Sequence, residues 1–266
     1  MTPAQYDAAA ETLFLAEQSG RQCGLLSLAY PGMTLDDAYA VQARLIDRKL
    51  AAGRRKIGWK IGLTSRAMQD ALKIDTPDSG VLLDDMTFEN GATVPAGRFI
   101  QPRVEAEIAF VMKAPLAGAD CTREDVLAAT DYVTPSLEIL DTRVLRADPE
   151  TGKARVITDT ISDNAANAGV VLGAERHAPG AVDLRWTGAI VSRDGVVEET
   201  GLGAGVLNDP VTSVLWLARR MAVYGQQIEA GDIVLSGSFI RPVEAPAGSR
   251  FAADFGPFGS VHITFD

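Results

Sequence analysis

The 266-residue sequence predicts an α+β fold: a mixed, barrel-like β-roll core with a helical N-terminal appendage. Three observations carry this. The first ~50 residues are patterned as helix. From Lys56 onward most of the chain breaks into short β-type runs separated by Gly, Pro and Asp. The connections lack the strict β-helix-β rhythm of a doubly wound parallel sheet.

The first helical segment runs from about Pro3 to Gly20, and the second opens at Thr34. Thr34 is a good N-cap with Asp37 three residues on, Leu35, Ala38, Val41, Leu45 and Ile46 recur at helical spacing, and Gly53 ends the run. The β-type runs are KIGWKIGLT, GVLLDDM, RVEAEIAFV, RWTGAIVS, DIVLSGS and SVHITF. Two helices interrupt them. Thr122 caps REDVLAATDYV, and NDPVTSVLWLARRMAVYG has Asp209 as cap, Pro210 in the first turn, a stripe of Val214, Leu217 and Met221, and Gly225 as stop. Such stripes are read as core. The expected division is a helical region over 1–66 and a catalytic domain over 67–266.

Hydrophobic content of 47% is enough to bury a full core. A net charge of −10 with no Lys/Arg-rich run leaves no footprint for a phosphate backbone, so nucleic acid is not expected as a partner. The N-terminal stretch has acidic residues where an export signal needs basic ones, and no apolar run approaches the ~18 to 20 residues of a membrane span. A soluble cytoplasmic protein is the expectation. Cys23 and Cys121 form no ligand motif and read as packing residues. The two histidines, His177 and His262, are too few for His-rich metal sites and argue against Ser-His-Asp catalysis.

Chemistry enters with RVEAEIAFV, residues 103–111. Side chains on a strand alternate, so Arg103, Glu105 and Glu107 point one way and Val104, Ala106, Ile108 and Phe110 the other. Two carboxylates about 7 Å apart at their Cα atoms can reach one cation, although a strand with a wet outer face would look the same. Glu138, in the largely apolar run SLEIL, needs a partner if buried. Three carboxylates without His or Cys suit Mg²⁺ or Mn²⁺. Lys60, between Trp59 and Ile61, reads either as a surface lysine at a strand edge or as a desolvated lysine whose pKa is depressed for acid-base work. Asp78 sits in a Pro-Asp-Ser-Gly stretch that could hold it at the mouth of a strand or simply form a turn.

The blocks KIGWKIGLTSRAMQ, TPDSGVLLDDM, PRVEAEIAFV, SLEILDTR and DTISDNAANAGVVLG resemble those of the 2-oxo-acid hydratase and decarboxylase group of the fumarylacetoacetate hydrolase fold. The resemblance runs from about Tyr30 to the C-terminus, leaving the first 29 residues outside it. It implies that Glu105, Glu107 and Glu138 ligate a divalent metal, usually magnesium, and that Lys60 and Asp78 act near the reacting carbons. More loosely, it places Ser236 and Ser238 at the substrate's carboxylate end. It implies a metal-dependent hydro-lyase of aromatic meta-cleavage degradation, adding water to a 2-hydroxydienoate, with the seven-carbon diacid preferred as substrate. The five-carbon monoacid, decarboxylation of 4-oxalocrotonate and, further off, acylpyruvate-type C–C hydrolysis are the rivals. A homo-oligomer, pentamer or decamer, is also implied. For a diacid, the far carboxylate calls for a cation, and DTRVLRADPETGKARVITDT offers Arg143, Arg146, Lys153 and Arg155 on a segment that reads either as a lid over the site or as a solvated basic loop.

Overall fold

Reciprocal hydrogen bonds open three of the helices, Thr2 and Gln5 making the first such pair. The Asp37 N–H donates to Thr34 Oγ1 while the Thr34 N–H donates to the Asp37 carboxylate, and Thr122 and Asp125 repeat the arrangement. Each box satisfies donors that a helix start leaves open. The computed structural model describes residues 1–72 and 74–266. Its α-helices are α1 (Pro3–Ser19), α2 (Leu26–Ala29), α3 (Leu35–Ala51), α4 (Arg66–Leu72), α5 (Arg123–Ala129), α6 (Ile157–Ser162) and α7 (Pro210–Val223). Ala9, Ala10 and Leu13 of α1 and Val41 and Leu45 of α3 share a small core of their own, which also takes in Val144. No helix among the described residues is long and apolar enough to cross a membrane.

The strands are β1 (Lys56–Gly62), β2 (Asp78–Leu83), β3 (Thr87–Phe88), β4 (Thr93–Val94), β5 (Arg103–Met112), β6 (Thr130–Leu140), β7 (Asn167–Leu172), β8 (Gly188–Arg193), β9 (Val196–Leu202), β10 (Ile233–Leu235), β11 (Val243–Glu244), β12 (Arg250–Asp254) and β13 (Ser260–Phe265). They make two mixed sheets. The larger runs β2-β1-β10-β5-β6-β7-β3 with β11 beside β5, and the smaller runs β4-β13-β12-β8-β9. The pairs β1/β10, β3/β7 and β4/β13 are parallel among antiparallel neighbours, so the fold is α+β, as the patterning predicts. β1, although it lies within 1–66, is flanked on both sides in the larger sheet.

One element differs from its sequence reading. The helix capped by Thr122 stops at Ala129 rather than running on to Val133, and Thr130 begins an eleven-residue strand. The β-branched residues Thr130, Val133 and Thr134 favour an extended chain, and pairing along the whole of β5 outweighs one more helical turn.

Alternation on β5 then divides the molecule. Val104, Ala106, Ile108 and Phe110 enter the main core, shared with Val191 of β8, Phe251 of β12 and Leu217 of α7. The other face of β5 points inside the larger sheet, which curls so that β2 approaches β7. Leu82, Ala109, Val170 and Leu235, from β2, β5, β7 and β10, close part of that interior as an apolar plug. What remains of the inner face is polar, and it forms the site.

Candidate active site

Register brings the acidic residues together. Glu105 of β5 lies directly opposite Glu138 of β6, and Glu107 follows two residues along on the same face. Gly62 of β1 lies opposite Asp78 of β2, with Lys60 two residues before it. Oxygens from Glu105, Glu107 and Glu138 come within 4.8 Å of one another, and Lys60 Nζ stands 3.5 Å from Glu138 Oε1. Glu138 is fully buried, and Glu107, Asp78 and Lys60 are nearly so. The strand face that could have been wet is therefore the lining of an interior site.

Two glycines make the approach possible. A Cβ at Gly62 would collide with the Asp78 carboxylate and stand 3.0 Å from Lys60 Nζ, so only glycine leaves these two groups room to cross β1. Gly237 has φ +116° and would drive a Cβ into the Thr64 side chain; its N–H donates to Glu107 Oε2 at 2.8 Å and fixes that carboxylate.

The site holds more negative charge than its own residues offset. Both Glu138 oxygens and Asp78 Oδ1 are buried without a hydrogen-bond partner among the described residues, and an orphaned buried carboxylate is costly. Burial, and then the charge of Glu138, pushes the Glu105 carboxyl up to about 8. Burial followed by Glu138 and Glu105 pushes Glu107 well above the usual carboxylate range. Burial also raises Glu138 and Asp78, with Lys60 opposing it in both. For Lys60, burial pulls the pKa down, but Glu138, Asp78, Glu105 and Glu107 together outweigh it, and the net shift is upward. This corrects the expectation of a depressed lysine: the surrounding carboxylates favour the charged form of Lys60. Three hard oxygen donors around an unbalanced charge can hold a divalent metal ion.

A cavity of about 450 Å³ opens over this cluster, walled by Lys60, Asp78, Glu105, Thr64, Ser238 and Arg103 among others. Of the two serines singled out from sequence, Ser238 reaches the wall, with its hydroxyl held in a turn by the Ile240 carbonyl and N–H. Ser236 is buried with a hydroxyl that has no partner among the described residues, and its N–H donates to the Ile108 carbonyl.

The basic segment divides. Arg143 is buried, ion-paired to Asp163, and donates to the Asp163 and Asn167 carbonyls, so it ties down the chain and is no lid cation. Lys153 is exposed and stands outside the cavity wall, which Arg146 and Arg155 line. His177 stacks on Phe258 and bonds its carbonyl through Nε2 at 2.9 Å, a structural role.

Sequence reading missed the left-handed wall residues. Leu63, Ala165 and Ala166 line the cavity at φ +56°, +52° and +60°, conformations that cost a non-glycine residue. Asn164, also left-handed, pins its neighbours by accepting from the Val81 N–H and donating to the Val81 carbonyl at 2.7 and 2.9 Å. An asparagine before Ala-Ala hints at such a turn; nothing in the sequence marks Leu63.

No family model matches the sequence. It is 52% identical to the 2-oxo-hept-4-ene-1,7-dioate hydratase of Escherichia coli, over 96% of this chain and 96% of that one. The chain belongs to the 2-oxo-acid hydratase and decarboxylase family. To the 2-keto-4-pentenoate hydratase of Paraburkholderia xenovorans LB400, another member, it is 40% identical over 100% of this chain and 97% of that one. The family likeness therefore takes in the N-terminal helices, which the sequence blocks had left outside. Among solved structures, the 4-oxalocrotonate decarboxylase from Pseudomonas putida G7, complexed with magnesium and adipate, superposes with a TM-score of 0.93 at 34% identity, covering 100% of this chain and 99% of that one. More distant structures, a fumarylacetoacetate hydrolase from Exiguobacterium antarcticum among them at TM-score 0.58 and 13% identity, share the fold alone.

Proposed function

We propose that the protein is a divalent-metal-dependent hydro-lyase that adds water to 2-hydroxyhepta-2,4-diene-1,7-dioate, giving a 4-hydroxy-2-oxo diacid in the degradation of aromatic compounds. The observation that carries this is the 52% identity over 96% of the chain to a hydratase of that diacid, against 34% to a decarboxylase of nearly the same shape.

Glu105, Glu107 and Glu138 would hold the ion, magnesium in first place and manganese in second. The fit rests on oxygen-only donors within 4.8 Å of one another and on the orphaned Glu138 oxygens. When bound, the ion supplies Lewis acidity toward the C1 carboxylate and the C2 oxygen of the substrate. Lys60 is held 3.5 Å from Glu138 and keeps a positive charge beside the reacting end, where it stabilises the enolate. Asp78, buried with one free oxygen, moves the protons: the 2-hydroxyl proton leaves and C5 gains one, then water adds at C4 and C3 takes up a proton. Ser238, on the cavity wall, would meet the carboxylate end of the substrate, with the buried Ser236 as a looser candidate.

The protein is further proposed to work in the cytoplasm as a homo-oligomer, pentamer or decamer. Support for assembly comes from Trp186, Ile190 and Leu202, exposed apolar residues around one open groove.

Decarboxylation is the second reading, favoured by the TM-score of 0.93 to a decarboxylase. The test gives purified protein and Mg²⁺ the diene diacid and 4-oxalocrotonate, following loss of dienoate absorbance and release of carbon dioxide. Hydration without carbon dioxide supports the hydratase. Carbon dioxide release as the faster reaction replaces it with the decarboxylase.

A further inference from the structure

We propose that Arg146 and Arg155, paired across one hairpin on the cavity wall, form a carboxylate-binding site for the remote end of the substrate. The inference rests on the diacid reading of the preceding subsection and assigns the residues that select it.

The argument begins with register. The Arg155 N–H donates to the Arg146 carbonyl at 2.9 Å, and Ala147 bridges Ala154 in an antiparallel sense. Arg146 and Arg155 are thus directly opposite one another, and opposed residues share a face. That face is the cavity wall, which both side chains line. Like charges in such a pair are destabilising unless an anion lies between or beside them.

No internal acid serves as that anion. The cavity's other guanidinium groups are engaged: Arg103 with Glu244 at 3.1 Å, and Arg241 with Glu199. Arg146 and Arg155 have no carboxylate within ion-pair distance among the described residues; the Arg155 guanidinium donates from Nη1 to the Val144 carbonyl at 3.1 Å. Three acids close in sequence are engaged elsewhere: Asp148 on Thr151, Asp159 on Ser27 and the Val156 N–H, and Asp163 on Arg143. Burial, with Arg103 and Arg146 adding to it and Asp163 opposing, lowers the Arg155 pKa, which fits a cation short of counter-charge.

Placement suits a long diacid. Arg103 lies on the same face of β5 as Glu105 and about 7 Å along it, and one cavity is walled by Glu105, Arg103 and the hairpin pair together. One end suits a metal-chelating 2-oxo acid, and the other a bare carboxylate. A chain carrying −10 repels dianions at range, and this pair gives local attraction where it is needed.

The test measures binding of two unreactive probes by calorimetry in Mg²⁺: 2-oxoheptanedioate, and 2-oxoheptanoate, which lacks only the far carboxylate. Wild type is expected to bind the diacid the more tightly. Arg146→Gln and Arg155→Gln should each weaken the diacid by roughly 10- to 100-fold, the loss of a hydrogen bond to a charged group, with the monoacid within about twofold of wild type. Arg155→Lys should recover part of the loss. Equal wild-type affinities for both probes, or variants that weaken both probes alike, overturn the site. Turnover of the diene diacid reports separately on the hydratase reading: an inactive wild type with intact diacid selectivity overturns that reading and leaves the arginine site standing.

Discussion

Metal binding should expel protons, and the number can be worked from the site. Ligating carboxylates must be ionised, yet Glu105 is held at about 8 and Glu107 well above the normal range. At pH 7 a group with a pKa of about 8 is roughly nine-tenths protonated, so loading the site should release between about one and two protons per ion. Affinity for Mg²⁺ should therefore rise by about 10- to 100-fold per pH unit between pH 6 and 8, and less steeply above. The sign for stability follows from the same shift. Glu105 has a folded pKa above its unfolded value of 4.5, so its contribution is present below about pH 4.5 and is lost as pH rises through about 8, at ~1.4 kcal/mol per pH unit per proton. The metal-free protein should lose stability across that window, and Mg²⁺ should restore most at its alkaline end. Calorimetric titration in two buffers of different ionisation enthalpy counts the protons, and thermal unfolding with and without Mg²⁺ at pH 5.5 and 8 reads the stability. Binding with no proton release at pH 7 would show that the carboxylates are already ionised and refute the electrostatic reading.

Glu105→Gln and Glu107→Gln should each weaken Mg²⁺ binding while leaving the circular dichroism spectrum unchanged, and exhaustive chelation should abolish turnover; full activity after chelation removes the metal from the mechanism. Lys60→Met should lower kcat by about 10² or more, a loss that a wild-type rate would contradict. Arg143→Met, which strands Asp163 in the interior, should cost about 3 to 5 kcal/mol in urea unfolding, whereas an unchanged midpoint would make the pair dispensable. Light scattering should report a particle several times the 28.2 kDa chain, and a monomer would end the proposal of assembly.

The parts of this molecule that sequence exposed are those with a local cause. Thr34 with Asp37, Asp209 with Pro210, and the alternation of Val104, Ala106, Ile108 and Phe110 all act within a few residues, and the structure places each as patterned. Glu105 and Glu107 could be seen to share a face for the same reason. Their meeting with Glu138 could not be derived locally, since it depends on the β5/β6 register over 30 residues of chain. The end of the Thr122 helix was lost because helix and strand propensities at Thr130 are close and the partner strand decides. Arg143 went wrong for a related reason. A basic run reads as solvated, and only the fold brings Asp163 against it.

The charges of the site explain why its groups divide the work as proposed. With Glu105, Glu107 and Glu138 holding a divalent ion as proposed, Asp78 would share Lys60 with Glu138 and feel Arg220 besides. Burial raises the Asp78 pKa against the opposing pull of Lys60, and the neutral form of a carboxyl is the one able to give a proton to carbon. Substrate adds two negative charges to this balance. The near one falls to the ion and Lys60, but the far one would face Glu105, Glu107 and Glu138 with nothing to hold it if the hairpin pair were absent. In the proposed site Arg146 and Arg155 supply that counter-charge from the cavity wall, outside the metal cluster. In this reading the catalytic charge sits on strands β1, β2, β5 and β6 and the selective charge on the hairpin segment, so the two should be alterable independently. The monoacid probe should therefore see a site that Arg155→Gln does not change, while the diacid should see one that has lost its far end.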